Sequence, residues 1–298
     1  MNEHRFDGRV AVVTGAGRGL GRAYALLLAG RGAGVVVNDL GSSMEGEGAD
    51  SEPASAVASE IVAAGGVAIA DGSDVSTPAG GQALVDAAVE HFGRLDVLVN
   101  NAGIMRWAGL PEVDADDLDR HLAVHVGGSF NTTRAAWPHL VDQGYGRIVM
   151  TTSAGFFGLP KNLAYATAKG GVIGLTRSLS TAGARHGIKA NLIAPAATTR
   201  MAGEPDDTVP EMPPEQVAPM VALLAHEDCP VTGEIYAAGA GRFARIFIAA
   251  TEGYVHPDDE PTIEDVAANW ATINDESGYS VPGGLMDWSA GFTEHLRS

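Results

Sequence analysis

Every second residue from Gly15 to Gly21 is glycine, and this stretch directly follows a short apolar, β-branched run, Arg9–Thr14. An amphipathic run from Leu20 to about Arg31 comes next. This order predicts a strand, a glycine turn and a helix. Glycines allow the backbone to approach a pyrophosphate, which then lies on the free N–H groups of the helix start. The chain is therefore expected to open with a unit that binds the phosphates of a nucleotide.

The rest of the chain continues the alternation of apolar and amphipathic runs. Further strands are predicted at Gly34–Asn38, Gly66–Ala70, Leu95–Val99, Ile148–Thr152, Ala190–Ala194 and Glu234–Ala238. Further helices are predicted at Pro53–Ala64, Thr77–Phe92, Asp114–Gln143, Leu163–His186 and Gln216–His226. Continuous apolar strands that alternate with helices indicate a parallel sheet covered on both faces. We predict an α/β fold, a single Rossmann-type, doubly wound parallel sheet of about seven strands.

Length favours one domain. The chain has 298 residues without an internal repeat or a long linker, so we expect a single domain over residues 1–298, with a core at about 5–240 and a C-terminal extension at about 241–298. Within the extension a helix is expected at Ile263–Ile273, which could pack on a partner subunit or cover the pocket. Leu40–Pro53 is interpreted as a flexible surface loop and Ala196–Pro214 as a mobile segment over the pocket.

Charge and cysteine content exclude several classes of partner. The net charge is −18, with 37 acidic and 19 basic residues, which argues against binding nucleic acid or an anionic membrane. Cys229 is the only cysteine, so neither a disulfide nor a cysteine zinc cluster can form within the chain, and no metal is expected. Neither a signal peptide nor a membrane span is found, and a cytoplasmic location is expected.

Small or acidic residues follow the third and fourth predicted strands. Asp74 and Val75 come after the third strand, and Asn100–Gly103 come at the end of the fourth. Asp39 ends the second strand about twenty residues beyond the glycines, where a carboxylate that binds the adenosine ribose is expected. Its alternative role is a loop-capping aspartate. Because ligands bind at the carboxyl ends of parallel strands, these residues are expected at one binding edge.

Acid/base chemistry is predicted from Tyr165 and Lys169, which are four residues apart and therefore share one face of a helix. A phenol titrates near pH ~10, and lowering this pKa by two to three units needs roughly 3–4 kcal/mol. An ammonium ~4 Å away supplies about 4 kcal/mol at an effective dielectric of ~20. Ser153, on the preceding loop, could hydrogen-bond the oxygen that exchanges the proton. The alternative is two solvated side chains on a surface helix.

Three motifs together carry a family resemblance: Thr14–Gly21, Asn100–Gly103 and the pair Tyr165 and Lys169. In their order and separation they resemble the short-chain dehydrogenase/reductases, over roughly residues 5 to 240. The resemblance implies an oxidoreductase that moves a hydride between a nicotinamide and a carbonyl or alcohol carbon. It also implies that Tyr165 is the acid/base, that Lys169 is its partner and that Ser153 steadies the substrate oxygen.

More particular stretches resemble one branch of that family, the (3R)-hydroxyacyl-CoA dehydrogenase part of the peroxisomal multifunctional enzyme type 2, a 17β-hydroxysteroid dehydrogenase, and its bacterial relatives. They are Gly21–Ala25, Val37–Gly41, Gly128–Trp137, Tyr145–Thr151 and Ile193–Met201. The resemblance implies an NAD-dependent oxidoreductase that interconverts (3R)-hydroxyacyl-CoA and 3-oxoacyl-CoA. Since no hydratase or sterol-carrier part is present, a free-standing dehydrogenase is expected.

Two positions depart from the wider family. Most members carry an asparagine where this chain has His125, and we hypothesise that His125 holds a relay water linked to Lys169; the alternative is a packed helix histidine. The second departure is that Ser153 lies one residue closer to Tyr165 than the family shows, so an ungapped alignment places Thr152 there instead. We prefer Ser153, because a shorter loop is easier to accommodate than a shifted strand end, although either hydroxyl could donate the hydrogen bond.

The cofactor is expected to be NAD. A carboxylate at Asp39 repels a 2′-phosphate, and this like-charge contact costs about 4 kcal/mol at ~4 Å and an effective dielectric of ~20. Arg18 favours NADP instead, because a basic residue at this position resembles NADP-dependent relatives. We expect the charge repulsion at Asp39 to determine the choice of cofactor. By the resemblance, the cofactor-binding residues are Gly15, Arg18, Gly19, Leu20, Gly21, Asp39, Asp74, Val75, Asn101, Ala102, Gly103, Tyr165, Lys169, Pro195 and Thr198.

The substrate pocket is expected on loops at the same sheet edge. Apolar candidates for it are Met105, Trp107, Phe156, Phe157, Leu159 and Met201. Cationic candidates for binding the phosphates of an acyl-CoA are Arg106, Lys161 and Arg200. Each of these residues could equally belong to the core or be solvated.

Two other functions remain open at this point. One is a reductase or dehydrogenase of another secondary alcohol, such as 3-oxoacyl carrier protein, a steroid or a sugar. The other is a non-catalytic nicotinamide-binding scaffold, which the intact tyrosine and lysine disfavour. The resemblance also implies a homo-oligomer, a dimer or tetramer formed through the two long helices.

Overall fold

The computed structural model describes residues 3–199, 212–257 and 260–297. The chain forms two compact units, Met1–Arg245 and Ile246–Ser298. The first unit contains the sheet edge and all the motifs discussed above. The prediction that residues 1–298 form one domain stays a prediction. None of the helices among the described residues has the length and apolarity that crossing a bilayer requires.

Strands and helices alternate along the first unit. The strands are β1 Val10–Thr14, β2 Gly34–Asn38, β3 Val67–Asp71, β4 Val97–Asn100, β5 Gly146–Thr151, β6 Ile188–Pro195, β7 Ile235–Gly239 and β8 Arg242–Ile246. The helices are α1 Gly19–Gly30, α2 Glu52–Ala63, α3 Pro78–Phe92, α4 Ala115–His121, α5 Gly128–Gln143, α6 Leu163–Gly183 and α7 Ala218–Ala225. Each predicted strand and helix of this unit is found, with its ends moved by at most a few residues.

The strands form one sheet in the order β3-β2-β1-β4-β5-β6-β7-β8. Strands β1 to β7 pair in parallel, for example Val12 with Val36 on one side and with Leu98 on the other. All five residues of β1 and all four of β4 are buried, as expected for a sheet covered on both faces. The predicted Rossmann-type α/β fold is confirmed. Because the strand order reverses between β1 and β4, a crevice for ligands opens between their carboxyl ends.

An eighth strand, β8, was not predicted. Its sequence, Arg-Phe-Ala-Arg-Ile, contains two arginines and lacks the continuous apolar character of the central strands. It follows β7 after Ala240 and Gly241, both of which have positive φ angles. Edge strands are half exposed, so their composition does not distinguish them from a loop.

The long predicted helix Asp114–Gln143 contains a change of winding. Asp114 caps α4 by accepting a hydrogen bond from the N–H of Asp117 at 2.8 Å. Between α4 and α5 the residues Leu122–Gly127 form a π-helical stretch. Such stretches insert a residue into a helix and occur frequently at functional sites. The stretch includes His125, which it directs towards the binding edge described below.

The second unit consists of short helices. They are α8 Ile263–Ala268, α9 Trp270–Ile273 and α10 Leu285–Phe292. The predicted helix Ile263–Ile273 is interrupted at Asn269, which ends α8. Thr262 and Asp265 form a capping box at its start, in which each side chain accepts a hydrogen bond from the other residue's backbone. No residue of these three helices is buried.

Candidate active site

The glycine turn is packed against the end of β4. Gly15 has a φ of 63°, and a Cβ there would lie 2.8 Å from the Cα of Ala102. A Cβ on Gly21 would lie 2.2 Å from the carbonyl oxygen of Gly15. Both positions therefore require glycine. Helix α1 begins at Gly19, and its N-cap Arg18 makes no side-chain capping bond. Among the described residues, the first N–H groups of the helix are therefore free to bind an anion.

Asn101 and Thr14 join the two small-residue turns. The Asn101 side-chain amide donates to the carbonyl oxygens of Thr14 and Gly15 at 3.0 and 3.1 Å. The Thr14 hydroxyl accepts from the backbone N–H groups of Asn101 and Ala102, both at 3.0 Å. These bonds fix the backbone of the turn before any ligand binds.

Asp39 is held beside the same turn. One carboxylate oxygen accepts from the N–H of Gly17 at 2.8 Å and the other from the N–H of Gly41 at 2.7 Å. A Cβ on Gly17 would lie 2.8 Å from the Asp39 carboxylate. The carboxylate is thus immobilised, and each oxygen keeps a further lone pair that can accept a ribose hydroxyl.

Lys169 and Tyr165 lie one turn apart on α6, and both are largely buried. The Lys169 ammonium donates to the carbonyl oxygen of Thr151 at 2.7 Å, and it lies 5.6 Å from the centre of the Tyr165 ring. Burial lowers the pKa of Lys169 to about 7. Burial also raises the pKa of Tyr165, and the Ser153 hydroxyl acts in the opposite direction. In this structure the Lys169 ammonium is engaged with the Thr151 carbonyl, so the expected lowering of the Tyr165 pKa by Lys169 stays a prediction.

Ser153 and Thr152 differ in what their hydroxyls contact. The Thr152 hydroxyl is buried and donates to the Lys169 carbonyl at 2.8 Å. The Ser153 hydroxyl accepts from the N–H of Gly155 at 3.0 Å and lines the cavity that Tyr165 also lines. The geometry thus favours Ser153 as the hydroxyl that faces a ligand.

Two histidines hold the loop that follows β4. His125 Nε2 lies 2.9 Å from the carbonyl oxygen of Ile104, to which it donates in one tautomer, and 3.3 Å from the N of Ile104, whose N–H it accepts in the other tautomer. One turn earlier, His121 Nδ1 lies 2.7 Å from the Asp117 carbonyl oxygen, and His121 Nε2 accepts from the Arg106 N–H at 3.3 Å. The His125 ring meets the Tyr165 ring edge to face at 5.3 Å. Burial lowers the pKa of His125 well below its usual value, so this ring stays neutral.

These groups share one cavity of about 430 Å³, a size within the range of ligand sites. The expected site residues that line it are Gly15, Arg18, Gly19, Leu20, Asp39, Asp74, Val75, Asn101, Ala102, Gly103, Met105, Trp107, His125, Ser153, Leu159, Tyr165, Lys169 and Pro195. The structure therefore brings together residues from seven separate segments of the sequence at the carboxyl edge of the sheet.

Several expected residues do not line the cavity. They are Gly21, Arg106, Phe156, Phe157, Lys161 and Thr198. Gly21 lies behind the turn, Arg106 is paired with Asp117 at 3.1 Å, and the Thr198 N–H donates to the Met212 carbonyl at 2.7 Å. Phe157 is 71% exposed. Arg200, Met201 and most of the predicted mobile segment lie outside the described residues.

Other lining residues were missed from the sequence. They are Asn38, Leu40, Ser42, Ser43, Gly46, Ser73, Ser76, Ile104, Val124, Thr151, Gly155, Asn162 and Ala197. The loop Leu40–Pro53, predicted to be a surface loop, reaches the cavity because the Met44 carbonyl accepts from the Met105 N–H at 2.9 Å. The length of this loop was the only feature of the sequence that could have indicated its contact with the cavity. Asn162 could have been noticed as an asparagine three residues before Tyr165.

Comparison with known proteins agrees with this geometry. Residues 9–208 match the short chain dehydrogenase family. The chain is 43% identical, over 92% of its length and 97% of the other's, to a putative short-chain type dehydrogenase/reductase of Mycobacterium tuberculosis. It is 41% identical to the peroxisomal hydratase-dehydrogenase-epimerase of Neurospora crassa, over 98% of its own length and 33% of that protein.

A solved structure extends the likeness to three dimensions. The full-length peroxisomal multifunctional enzyme type 2 of Drosophila melanogaster matches with a TM-score of 0.82 and 37% identity, over 98% of this chain and 50% of that one. The chain thus spans a third to a half of these two multifunctional proteins. With the glycine turn, the Asn100–Gly103 turn and the buried Tyr165 and Lys169 at one cavity, the chain belongs to the short-chain dehydrogenase/reductase family of oxidoreductases.

Proposed function

We propose that this enzyme is an NAD-dependent dehydrogenase that oxidises (3R)-hydroxyacyl-CoA to 3-oxoacyl-CoA. The observation that carries the proposal is the likeness, over 98% of the chain, to a protein named hydratase-dehydrogenase-epimerase. A hydratase forms an alcohol and a dehydrogenase oxidises one. Because the matching part belongs to a dehydrogenase family, we assign the oxidation of that alcohol to this chain.

The described residues fit a nicotinamide dinucleotide. Its pyrophosphate would lie on the free N–H groups at the start of α1, beside Gly15 and Arg18, where a side chain in place of glycine would leave no room. Asp39 would accept the adenosine ribose hydroxyls, and its fixed charge would repel the 2′-phosphate of NADP. The bound cofactor would supply the acceptor for the hydride.

The residues around Tyr165, at the reacting end of the cavity, would transfer the proton. In the oxidative direction the Tyr165 oxygen takes the proton of the substrate hydroxyl, while Ser153 hydrogen-bonds the same substrate oxygen. Since burial raises the pKa of Tyr165, the phenolate needs a nearby positive charge. Lys169, one turn further along α6, can supply this charge. A ligand that draws its ammonium from the Thr151 carbonyl towards the phenol would lower the pKa of Tyr165.

We also propose that His125 supports this transfer. Its Nε2 is engaged with Ile104, whereas its buried Nδ1 has no hydrogen-bond partner among the described residues. In the tautomer that donates from Nε2 to the Ile104 carbonyl, Nδ1 is unprotonated and can accept a hydrogen bond from a water. Such a water would link the ring to Lys169, as the sequence hypothesis holds.

The far side of the cavity suits an apolar acyl chain. Ile104, Met105, Trp107 and Leu159 line it, and Trp107 and Leu159 are 45% and 54% exposed. Exposed apolar side chains at the mouth of a cavity would lose contact with water on binding an acyl chain, which favours binding. A homo-oligomer formed through α5 and α6 and a cytoplasmic location stay predictions.

The test is NADH formation with (R)- and (S)-3-hydroxyacyl-CoAs of graded chain length, with simple steroids and sugar alcohols alongside, and with NAD and NADP in parallel. We expect R-selective turnover that requires NAD. Turnover of a free alcohol without turnover of any thioester would remove the acyl-CoA assignment, and a lower KM for NADP than for NAD would overturn the cofactor assignment.

A further inference from the structure

Asn162 occupies the N-cap position of α6 but does not cap the helix. Asparagine is favoured at this position because its side-chain oxygen accepts a hydrogen bond from a backbone N–H of the first turn. Here no such bond is formed. The backbone of Asn162 is nevertheless fixed, since its carbonyl accepts from the Ala166 N–H at 2.8 Å and its strand-like bridge joins Ala108. The side chain is therefore held away from its usual role.

The Asn162 amide oxygen is buried without a hydrogen-bond partner among the described residues. The residue is 2% exposed, and its Oδ1 has no hydrogen-bond partner among the described residues. Buried polar atoms are nearly always hydrogen-bonded, so an unpartnered one needs an explanation. Asn162 lines the active-site cavity. A ligand in the cavity can supply the missing partner.

Asn162 also lies beside the reacting groups. A Cβ built on Gly155 would lie 2.9 Å from Asn162 Nδ2, 3.3 Å from the Ser153 hydroxyl and 3.5 Å from the Tyr165 ring. A single carbon-sized space thus contacts all three side chains. The amide is within a few bond lengths of the position that the substrate hydroxyl must occupy.

We propose that Asn162 determines specificity by hydrogen-bonding a second substrate oxygen, the carbonyl two carbons from the reacting carbon. A 3-hydroxyacyl thioester carries such a carbonyl at C1, and this inference rests on the proposed function in that respect. The amide offers both an N–H donor and a carbonyl acceptor, and a turn of 180° exchanges them. Its N–H₂ group would bind the thioester oxygen while Ser153 and Tyr165 bind the oxygen at C3.

The test compares two substrates that differ only in this carbonyl. One is an (R)-3-hydroxyacyl-CoA, and the other is the corresponding CoA thioether with CH₂ in place of C=O at C1. For the wild type we expect kcat/KM to be about 10- to 100-fold higher with the thioester, as for a hydrogen bond to a buried polar group. In Asn162→Leu, of similar volume, this preference should disappear, because thioester turnover falls while thioether turnover stays within about threefold.

Two further measurements separate specificity from structure. Because Asn162→Leu removes an unpaired buried polar group, its melting temperature should be equal to or above that of the wild type, whereas loss of a structural contact would lower it. Thr167→Ala, an exposed residue of the same helix outside the cavity, should leave the preference unchanged.

Each outcome decides the matter. An Asn162→Leu enzyme that keeps the wild-type preference for the thioester overturns the inference and leaves the proposed function standing. An equal loss with both substrates, together with a lower melting temperature, also overturns it, because the role is then structural. A wild type that oxidises simple alcohols but neither CoA compound removes the proposed function and this inference with it.

Discussion

The two ends of the active-site cavity differ in how their polar atoms are satisfied. At the glycine turn, Thr14, Asn101 and both oxygens of Asp39 are hydrogen-bonded within the protein. At the reacting end, His125 Nδ1, Thr151 Oγ1 and Asn162 Oδ1 are buried and unpartnered among the described residues. We call the glycine-turn end, whose polar atoms are hydrogen-bonded within the protein, the cradle end. At the reacting end, a bound ligand could supply the hydrogen bonds that the protein does not.

The difference shows that the cradle end is ordered before binding, whereas the reacting end keeps polar atoms available for a substrate. A cradle whose backbone is fixed in advance costs little to order when the dinucleotide binds. Polar atoms left free in a buried site reduce stability, but they can bind a substrate specifically. We therefore expect variants at the first end to change cofactor binding and variants at the second end to change turnover.

The largest effect is expected for Tyr165→Phe at the reacting end. The substitution removes the hydroxyl that we propose as the proton acceptor, and acid/base groups contribute about 10²- to 10⁴-fold to rate. We expect kcat to fall by about that factor while NADH binding, followed by fluorescence titration, changes less than twofold.

Tyr24→Phe is the matched control for that experiment. Tyr24 is fully buried, and its hydroxyl has no hydrogen-bond partner among the described residues, but it lies in the core away from the cavity. Its variant should keep wild-type turnover. Equal losses in the two variants would show that the phenol matters for packing, and the comparison between the two ends would then fail.

At the cradle end, Asp39→Ser should change the choice of cofactor. A like-charge contact at ~4 Å costs about 4 kcal/mol at an effective dielectric of ~20, nearly a thousandfold. The variant should gain up to that factor in the ratio of kcat/KM for NADP to that for NAD, with Arg18 available to the 2′-phosphate. Steady-state kinetics with both cofactors measures it, and an unchanged ratio would contradict the role given to Asp39.

A smaller effect is expected for Gly21→Ala, behind the turn. The added methyl would lie 2.2 Å from the Gly15 carbonyl oxygen and 2.6 Å from the Asn101 amide. The backbone of the turn must shift, and overpacking costs about 1–3 kcal/mol, so NADH affinity should fall by about 10- to 100-fold. Gly30→Ala, where a methyl meets nothing within 4 Å, should bind NADH as the wild type does.

The cradle end was largely predictable from the sequence, and the reacting end only in part. Gly15, Asp39 and Asn101 are found at the cavity because a turn between a strand and a helix imposes glycine and fixed spacings. Tyr165 and Lys169 are found there because helical periodicity relates them. Asn162 stands three residues before Tyr165, but this spacing does not show that its amide oxygen is buried without a partner among the described residues. Ser42 carries no periodic or steric signature, because its loop reaches the cavity through contacts between distant segments that local sequence does not encode.

The same reasoning explains two side-chain contacts that the sequence did not reveal. Lys169 is four residues from Tyr165, but spacing alone could not show that its ammonium donates to the Thr151 carbonyl. Arg106 was a candidate for binding phosphate, yet Asp117 lies within 3.1 Å of it. A pairing partner for a charge depends on the fold of both segments, so composition and periodicity do not reveal it.

The smallest effects are expected from the two histidines, and they sharpen the comparison within the reacting end. His121 has both ring nitrogens engaged with backbone groups, whereas His125 keeps Nδ1 unpartnered. His121→Phe should therefore disturb only the loop that lines the substrate side and raise KM about threefold, with kcat retained. His125→Ala should lower kcat about tenfold, because it removes the acceptor for the relay water.

The pH dependence of kcat shows whether His125 holds a relay water or only fixes the loop at Ile104. Burial keeps the pKa of His125 well below its usual value, so His125 itself does not titrate near neutral pH, and its loss should act through Lys169. If His125 holds the relay water, His125→Ala should shift the pH dependence of kcat, and His125→Asn, which retains an acceptor, should restore part of the turnover. The contrary result is that His121→Phe and His125→Ala raise KM equally and leave kcat and its pH profile unchanged. His125 then only holds the Ile104 loop, and its Nδ1 has no part in proton transfer.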